Sequence, residues 1–187
     1  MKKCLLIIVA YFLVFPPAIA VEIGEVAPDF VGRDFNGDDT LISDYRGQIV
    51  VLLFWINSLT EASNNTSSGK DASGRFGDYG LVYDLNSISN FFNQKGGGKR
   101  VKFIASSFYG PFYKFRREVR KRKDEVDIHY TNDSGHRISA KYFNRDISLP
   151  VAFVINQRGE IAYRYFVYSN DLADKISDNI NTLLKQN

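Results

Sequence analysis

Sulfur is nearly missing from this chain: of 187 residues only Cys4 is a cysteine and only Met1 a methionine. One thiol cannot close an intramolecular disulfide, so dithiol–disulfide chemistry within the chain is excluded. Peroxide reduction at a folded-domain cysteine is excluded with it. Histidine is scarce too. His129 and His136 stand seven residues apart with no third or fourth ligand in view, so the sequence sets no metal site and no cofactor. No G-x-S-x-G turn presents a serine nucleophile. The longest apolar run, Cys4 to Phe15, falls short of the roughly 20 residues that span a bilayer.

What is present begins with that run. Lys2-Lys3, the apolar stretch, Pro16-Pro17 and Ala18-Ile19-Ala20 form the pattern of a cleavable secretory signal, with the expected cut after Ala20. A retained anchor is the alternative. Cleavage would leave residues 21–187, enough for one domain, with no stable membrane span. It would also lower the formal charge from +3 to +1 by removing two lysines. A chain so balanced and exported is not expected to bind nucleic acid, and its place is periplasmic or secreted.

The pattern of elements points to an α/β domain. Residues 21–35 look extended and 36–47 turn-like. Gln48 to Trp55 is almost wholly apolar, as in a strand buried on both faces. In Ser63 to Gly80, 11 of 18 residues are Gly, Ser, Asn or Thr, too polar to offset the entropy of ordering, so a mobile loop is expected there. A helix is expected over about 81–95, a second buried strand over 101–108, a helix from Gly110-Pro111 to about 123, a strand over 126–130 and a short helix over 134–143. Two strands, 151–156 and 160–168, flank a Gln157-Arg158-Gly159 turn. A last helix starts at about Asp171, with Asn170 as its cap, and carries Leu172, Ile176, Ile180 and Leu183 on one face. This order indicates a central mixed sheet with helices on both faces.

Five segments carry a resemblance: Gly24-x-x-Ala27-Pro28-Asp29-Phe30, then 45–55 (YRGQIVVLLFW), Val101 to Ser107, Asn132-Asp133-Ser134-Gly135 with Ala140-Lys141-Tyr142, and Leu149 to Ile161. Together they resemble the TlpA/ResA-type redoxins, exported proteins of thioredoxin-like fold. The resemblance implies that fold over almost all of 23–187, a cis proline at Pro150 beside a groove for extended polypeptide, and a W-C-x-x-C motif after Phe54-Trp55. Here Leu59 stands where the attacking cysteine would be and Ala62 where the resolving one would be. The nucleophile of such exchange is a thiolate, which leucine cannot supply.

The expected role is therefore non-catalytic binding or structure, with an oxidoreductase role as the alternative that the family implies. The partner expected is an envelope protein or an extended peptide, and no oligomeric state is set. Two surfaces are candidates. Trp55, Leu59, Leu149 and Pro150 would form an apolar, unreactive face able to take a peptide by strand-like contacts. Lys114, Arg116, Arg117, Arg120, Lys121, Arg122 and Lys123 crowd one helix. They are either a solvated face or a dock for an acidic protein or anionic surface.

Overall fold

The computed structural model describes residues 21–34, 36–55, 77–94, 100–107, 113, 116–117, 120, 128–133, 135–144, 149–166, 169 and 171–186. Its strands are β1 (Val31–Asp34), β2 (Asp39–Leu41), β3 (Ile49–Trp55), β4 (Val101–Ser107), β5 (His129–Asn132), β6 (Val151–Ile155) and β7 (Ile161–Tyr165); its long helices are α1 (Gly77–Gln94) and α2 (Leu172–Lys185). The seven strands form one sheet in the order β2-β1-β5-β4-β3-β6-β7. β3, β4 and β5 run parallel, while the remaining pairs are antiparallel. The sheet is mixed, as the order of elements implied.

Successive side chains of a strand point to opposite faces, and β3 divides its seven buried residues accordingly. Ile49, Val51, Leu53 and Trp55 face α1 and α2, joined by Val101, Phe103, Ala105, Ala152 and Val154. Leu85, Ile88 and Phe92 of α1 and Leu172, Ile176, Ile180 and Leu183 of α2 cover them. Val50, Leu52 and Phe54 face the other way, with Val151, Phe153 and Ile155. Among the described residues the cover there is the lead-in (Val21, Ala27, Phe30), Ile42, and the residues around a 3-10 turn at Ser139–Lys141.

Several boundaries differ from the sequence reading. The helix expected from 81 begins at Gly77, so 77–80 belong to α1 and not to the polar loop. The strand expected over 126–130 is His129–Asn132, because β4 continues to Ser107 and draws Thr131 and Asn132 into the ladder. The helix expected over 134–143 is only the 3-10 turn, because His136 takes φ 52° and the helical path cannot start before it. Asp171, not Asn170, precedes α2. The segment read as turn-like contains β2, closed onto β1 through an Asn36-Gly37 turn with Gly37 at φ 101°.

The resembling segments meet as scaffold. The Tyr142 hydroxyl donates to the Pro28 carbonyl at 2.7 Å, and the Lys141 ammonium to the Asp29 carbonyl at 2.6 Å. Asp29 Oδ1 accepts the backbone N–H groups of Phe30 and Ser43. Burial pushes this carboxyl up, but its hydrogen bonds with Ser43, Phe30 and Ile42 together hold it below the usual range. Arg46 crosses the β6–β7 turn and donates to the Arg158 carbonyl. It lies so close over Gly159, φ 82°, that any β-carbon there would collide with it.

Candidate functional site

In this topology Trp55 and Pro150 fall at the end of the sheet where β3, β4 and β5 finish and β6 begins. Register assigns the neighbours. Trp55 pairs with Ser107, Ser107 with Asn132, and Asn132 with Arg33 across the antiparallel β1–β5 ladder. These four residues form a row across the helix-bearing face of the sheet, one residue from each of four adjacent strands. On the opposite face Phe54, Ser106 and Thr131 form the adjacent row.

Trp55 is 2% exposed and packs in the helix-side core, its ring 6.3 Å from that of Tyr130. The Leu149–Pro150 peptide is cis. Pro150 is buried and Leu149 half-buried. Because Phe54 pairs with Val151, Pro150 stands beside Trp55 at the sheet end. Their sides differ: Leu149 packs against the face opposite Trp55. Of the expected peptide face, then, Trp55 and Pro150 adjoin but turn little surface outward, and Leu59 lies outside the described residues, as does Ala62. Of the basic cluster, Arg116, Arg117 and Arg120 are helical and exposed, as is Tyr113, while Lys114, Lys121, Arg122 and Lys123 lie outside the described residues.

The hydroxyls of Ser106, Ser107 and Thr131 are fully buried and find no hydrogen-bond partner among the described residues. Buried polar groups are ordinarily paired, and leaving one unpaired costs about 1–3 kcal/mol. Three in adjoining register positions make this end of the sheet the part least adapted to packing alone.

His129 offers the nearest approach to a catalytic pair. Its Nε2 lies 2.6 Å from Thr40 Oγ1. Burial lowers its pKa, Lys102 lowers it further, and Asp34 opposes both, so the ring is neutral near pH 7. The arrangement is a clasp between β2 and β5, since Thr40 is only 4% exposed and its hydroxyl is not presented to solvent. Asp34, the acid that would complete a triad, holds the N–H groups of Asn36, Gly37 and Asp38 on Oδ1. Among the described residues no three His, Cys, Asp or Glu side chains converge as metal ligands.

Sequence reasoning passed over a cleft of about 360 Å³ at the β1–β5 end, lined by Val31, Arg33, Asn132, Asp133, Arg137 and Ile138 among others. Asp133 is its buried member, 3% exposed, and it is committed to structure. Its two carboxylate oxygens accept the backbone N–H groups of Ile138 and Ser139 at 2.9 and 2.8 Å, satisfying donors at the start of the 3-10 turn. The signal that could have found this cleft is the Asn36-Gly37 hairpin, which places Arg33 beside the end of β5.

No known protein-family profile matches the chain. A stretch of 41 residues is 49% identical to the thiol-disulfide oxidoreductase ResA of Geobacillus kaustophilus, covering 22% of this chain and 24% of that protein. The matched stretch thus spans about a quarter of its curated relative. Among solved structures, a candidate protein disulfide isomerase from Bacteroides thetaiotaomicron superposes with a TM-score of 0.67 at 22% identity, over 88% of this chain and 91% of its own. The exposed lipoprotein thioredoxin Etrx1 of Streptococcus pneumoniae gives 0.57 at 16% identity, over 83% and 99%. The chain has a thioredoxin-like fold, a mixed-sheet α/β architecture, and carries one 41-residue stretch similar to a ResA oxidoreductase.

Proposed function

We propose that this chain is an extracytoplasmic thioredoxin-like protein that binds a partner polypeptide and performs no thiol–disulfide exchange of its own. The observation that carries this reading is the combination of a thioredoxin-like fold with a single cysteine in the chain, Cys4, which precedes the described residues. Exchange needs two sulfurs, one to attack and one to resolve, and a hydroxyl cannot take either place. The signal-like N-terminus supports export, and no described helix is long and apolar enough to cross a membrane.

The likeness to ResA favours a second reading, an oxidoreductase role in which a partner protein supplies both thiols. One assay separates the two. The full chain, purified from an exporting host, is incubated with insulin and dithiothreitol, and precipitation of the reduced B chain is followed. The expected rate equals that of dithiothreitol alone. Catalysed reduction above that background overturns the non-redox reading. Acceleration only after adding a dithiol protein from the same envelope establishes the second.

A further inference from the structure

We infer that the cleft between β1, the end of β5 and the 135–138 segment is a binding site for a carboxylate attached to a small apolar group. This inference is independent of the proposed function, because the cleft lies two strands away from Trp55, about 10 Å at ordinary strand spacing.

Charge is the first reason. Arg33 and Arg137 both line the cleft, both are exposed, and neither side chain has a hydrogen bond or ion pair among the described residues. Arg33 has an acid directly opposite in the β1–β2 ladder, Asp39, yet makes no ion pair with it and lines the cleft instead. Arg137 folds back over Gly135, with Cγ, Nε and Cδ 3.6–3.9 Å from the place a β-carbon would occupy there. The bare glycine gives that side chain a flat surface to lie on.

The third charge at the cleft is negative but occupied. Asp133 directs its carboxylate at the Ile138 and Ser139 amides, so two arginines line the cleft with one carboxylate already satisfied by N–H donors. A planar guanidinium presents a fork of donors that matches a carboxylate in two parallel hydrogen bonds.

Shape and apolar surface choose among anions. Val31 is 60% exposed at the cleft wall, unusual for a valine in a strand, and Ile138 lies beneath. The volume of about 360 Å³ lies at the low end of small-ligand sites. A ligand with an acid head and a short apolar group covers Val31 while meeting the arginines, whereas inorganic phosphate would leave Val31 in water. The same chemistry could come from the C-terminus of a peptide ending in a small apolar residue or from a free organic acid.

The test is a titration of the full chain, followed by amide chemical shifts and calorimetry, with four probes: acetyl-Ala-Val free acid, its C-terminal amide, isovalerate and inorganic phosphate. Saturable binding of the dipeptide acid is expected, with shifts centred on Arg33, Asn132 and Arg137 and lost on amidation. Arg33→Ala and Arg137→Ala should each weaken it about tenfold or more, whereas Arg158→Ala, on the distant β6–β7 turn, should leave it unchanged. Both cleft arginines are exposed, so native thermal unfolding of the variants is expected and confirms the fold. Isovalerate binding as tightly as the dipeptide assigns the site to free acids; a stronger dipeptide assigns it to chain termini. Equal binding of acid and amide, undiminished binding by the arginine variants, or phosphate binding as tightly as the acids would overturn the proposal.

Discussion

The two faces of the central sheet are built to different standards. One carries the lead-in and the 139–141 turn over an aromatic cluster in which Phe54 lies 5.4 Å from Tyr142 and 5.1 Å from Phe143, and Phe153 lies 5.2 Å from Tyr142. The tie to the lead-in is made there too, through Tyr142 to Pro28. The helix-bearing face has an aliphatic centre, and at its end it runs out into Trp55, Ser107, Asn132 and Arg33. Ala27-Pro28-Asp29-Phe30 and Ala140-Lys141-Tyr142, two of the segments that carry the redoxin resemblance, cover the aromatic face. The positions that would carry redoxin chemistry follow Trp55, at the end of the other.

The sharpest way to break this comparison is to damage the aromatic face alone. Phe153→Ala should cost about 3–5 kcal/mol, the usual range for removing a buried phenyl group from a core, read as a shift in the urea midpoint at unchanged slope. Carboxylate affinity at the cleft should not change in the folded variant. A loss below about 1 kcal/mol would mean that this face contributes little to stability, and the contrast would fall.

Asp133 stands where the two regions touch, and its removal should cost less. Asp133→Ala leaves the Ile138 and Ser139 amides without their acceptor, a loss of about 2–3 kcal/mol by the ordinary cost of buried unsatisfied groups. Asp133→Asn keeps one acceptor oxygen and should recover part of that. The measurement is again denaturant unfolding. An alanine variant as stable as the parent would show that the turn is held by packing around Ile138 instead.

Asp133 also shows what could be read from residues alone. The buried strands were legible because period and composition agree over β3, β4 and β6, and α2 because Leu172, Ile176, Ile180 and Leu183 keep helical spacing. The cis proline was legible only through family resemblance. The β1–β2 hairpin was not recognised, because its strands are three and four residues long and alternate around Gly32, which has no side chain to register. The turn at 139–141 depends on one carboxylate reaching five and six residues along the chain, a contact with no periodic signature. Arg33 and Arg137 are 104 positions apart, so their meeting at one cleft is a product of topology. That Leu59 and Ala62 stand at the motif positions is a reading of the sequence alone, and both lie outside the described residues.

The smallest expected effect concerns His129, which links β2 to β5 across the edge of the aromatic face. Burial disfavours its charged form, Lys102 adds to that, and Asp34 opposes it, leaving the native pKa below the ordinary 6.5. The unfolded chain therefore binds this proton more readily than the native one. Between the native midpoint and about 6.5 the unfolded state carries more protons, so stability rises with pH and is lost as pH falls through that window. His129→Gln removes the titration while leaving an amide able to meet Thr40. Unfolding measured from pH 7.5 to 5 should show a shallower decline in the variant than in the parent, by less than either substitution above because the ring is partly solvated. Identical slopes would show that the imidazole is already relieved by Asp34 in the native protein. The edge of the aromatic face would then be more open to water than the 2.6 Å contact with Thr40 implies.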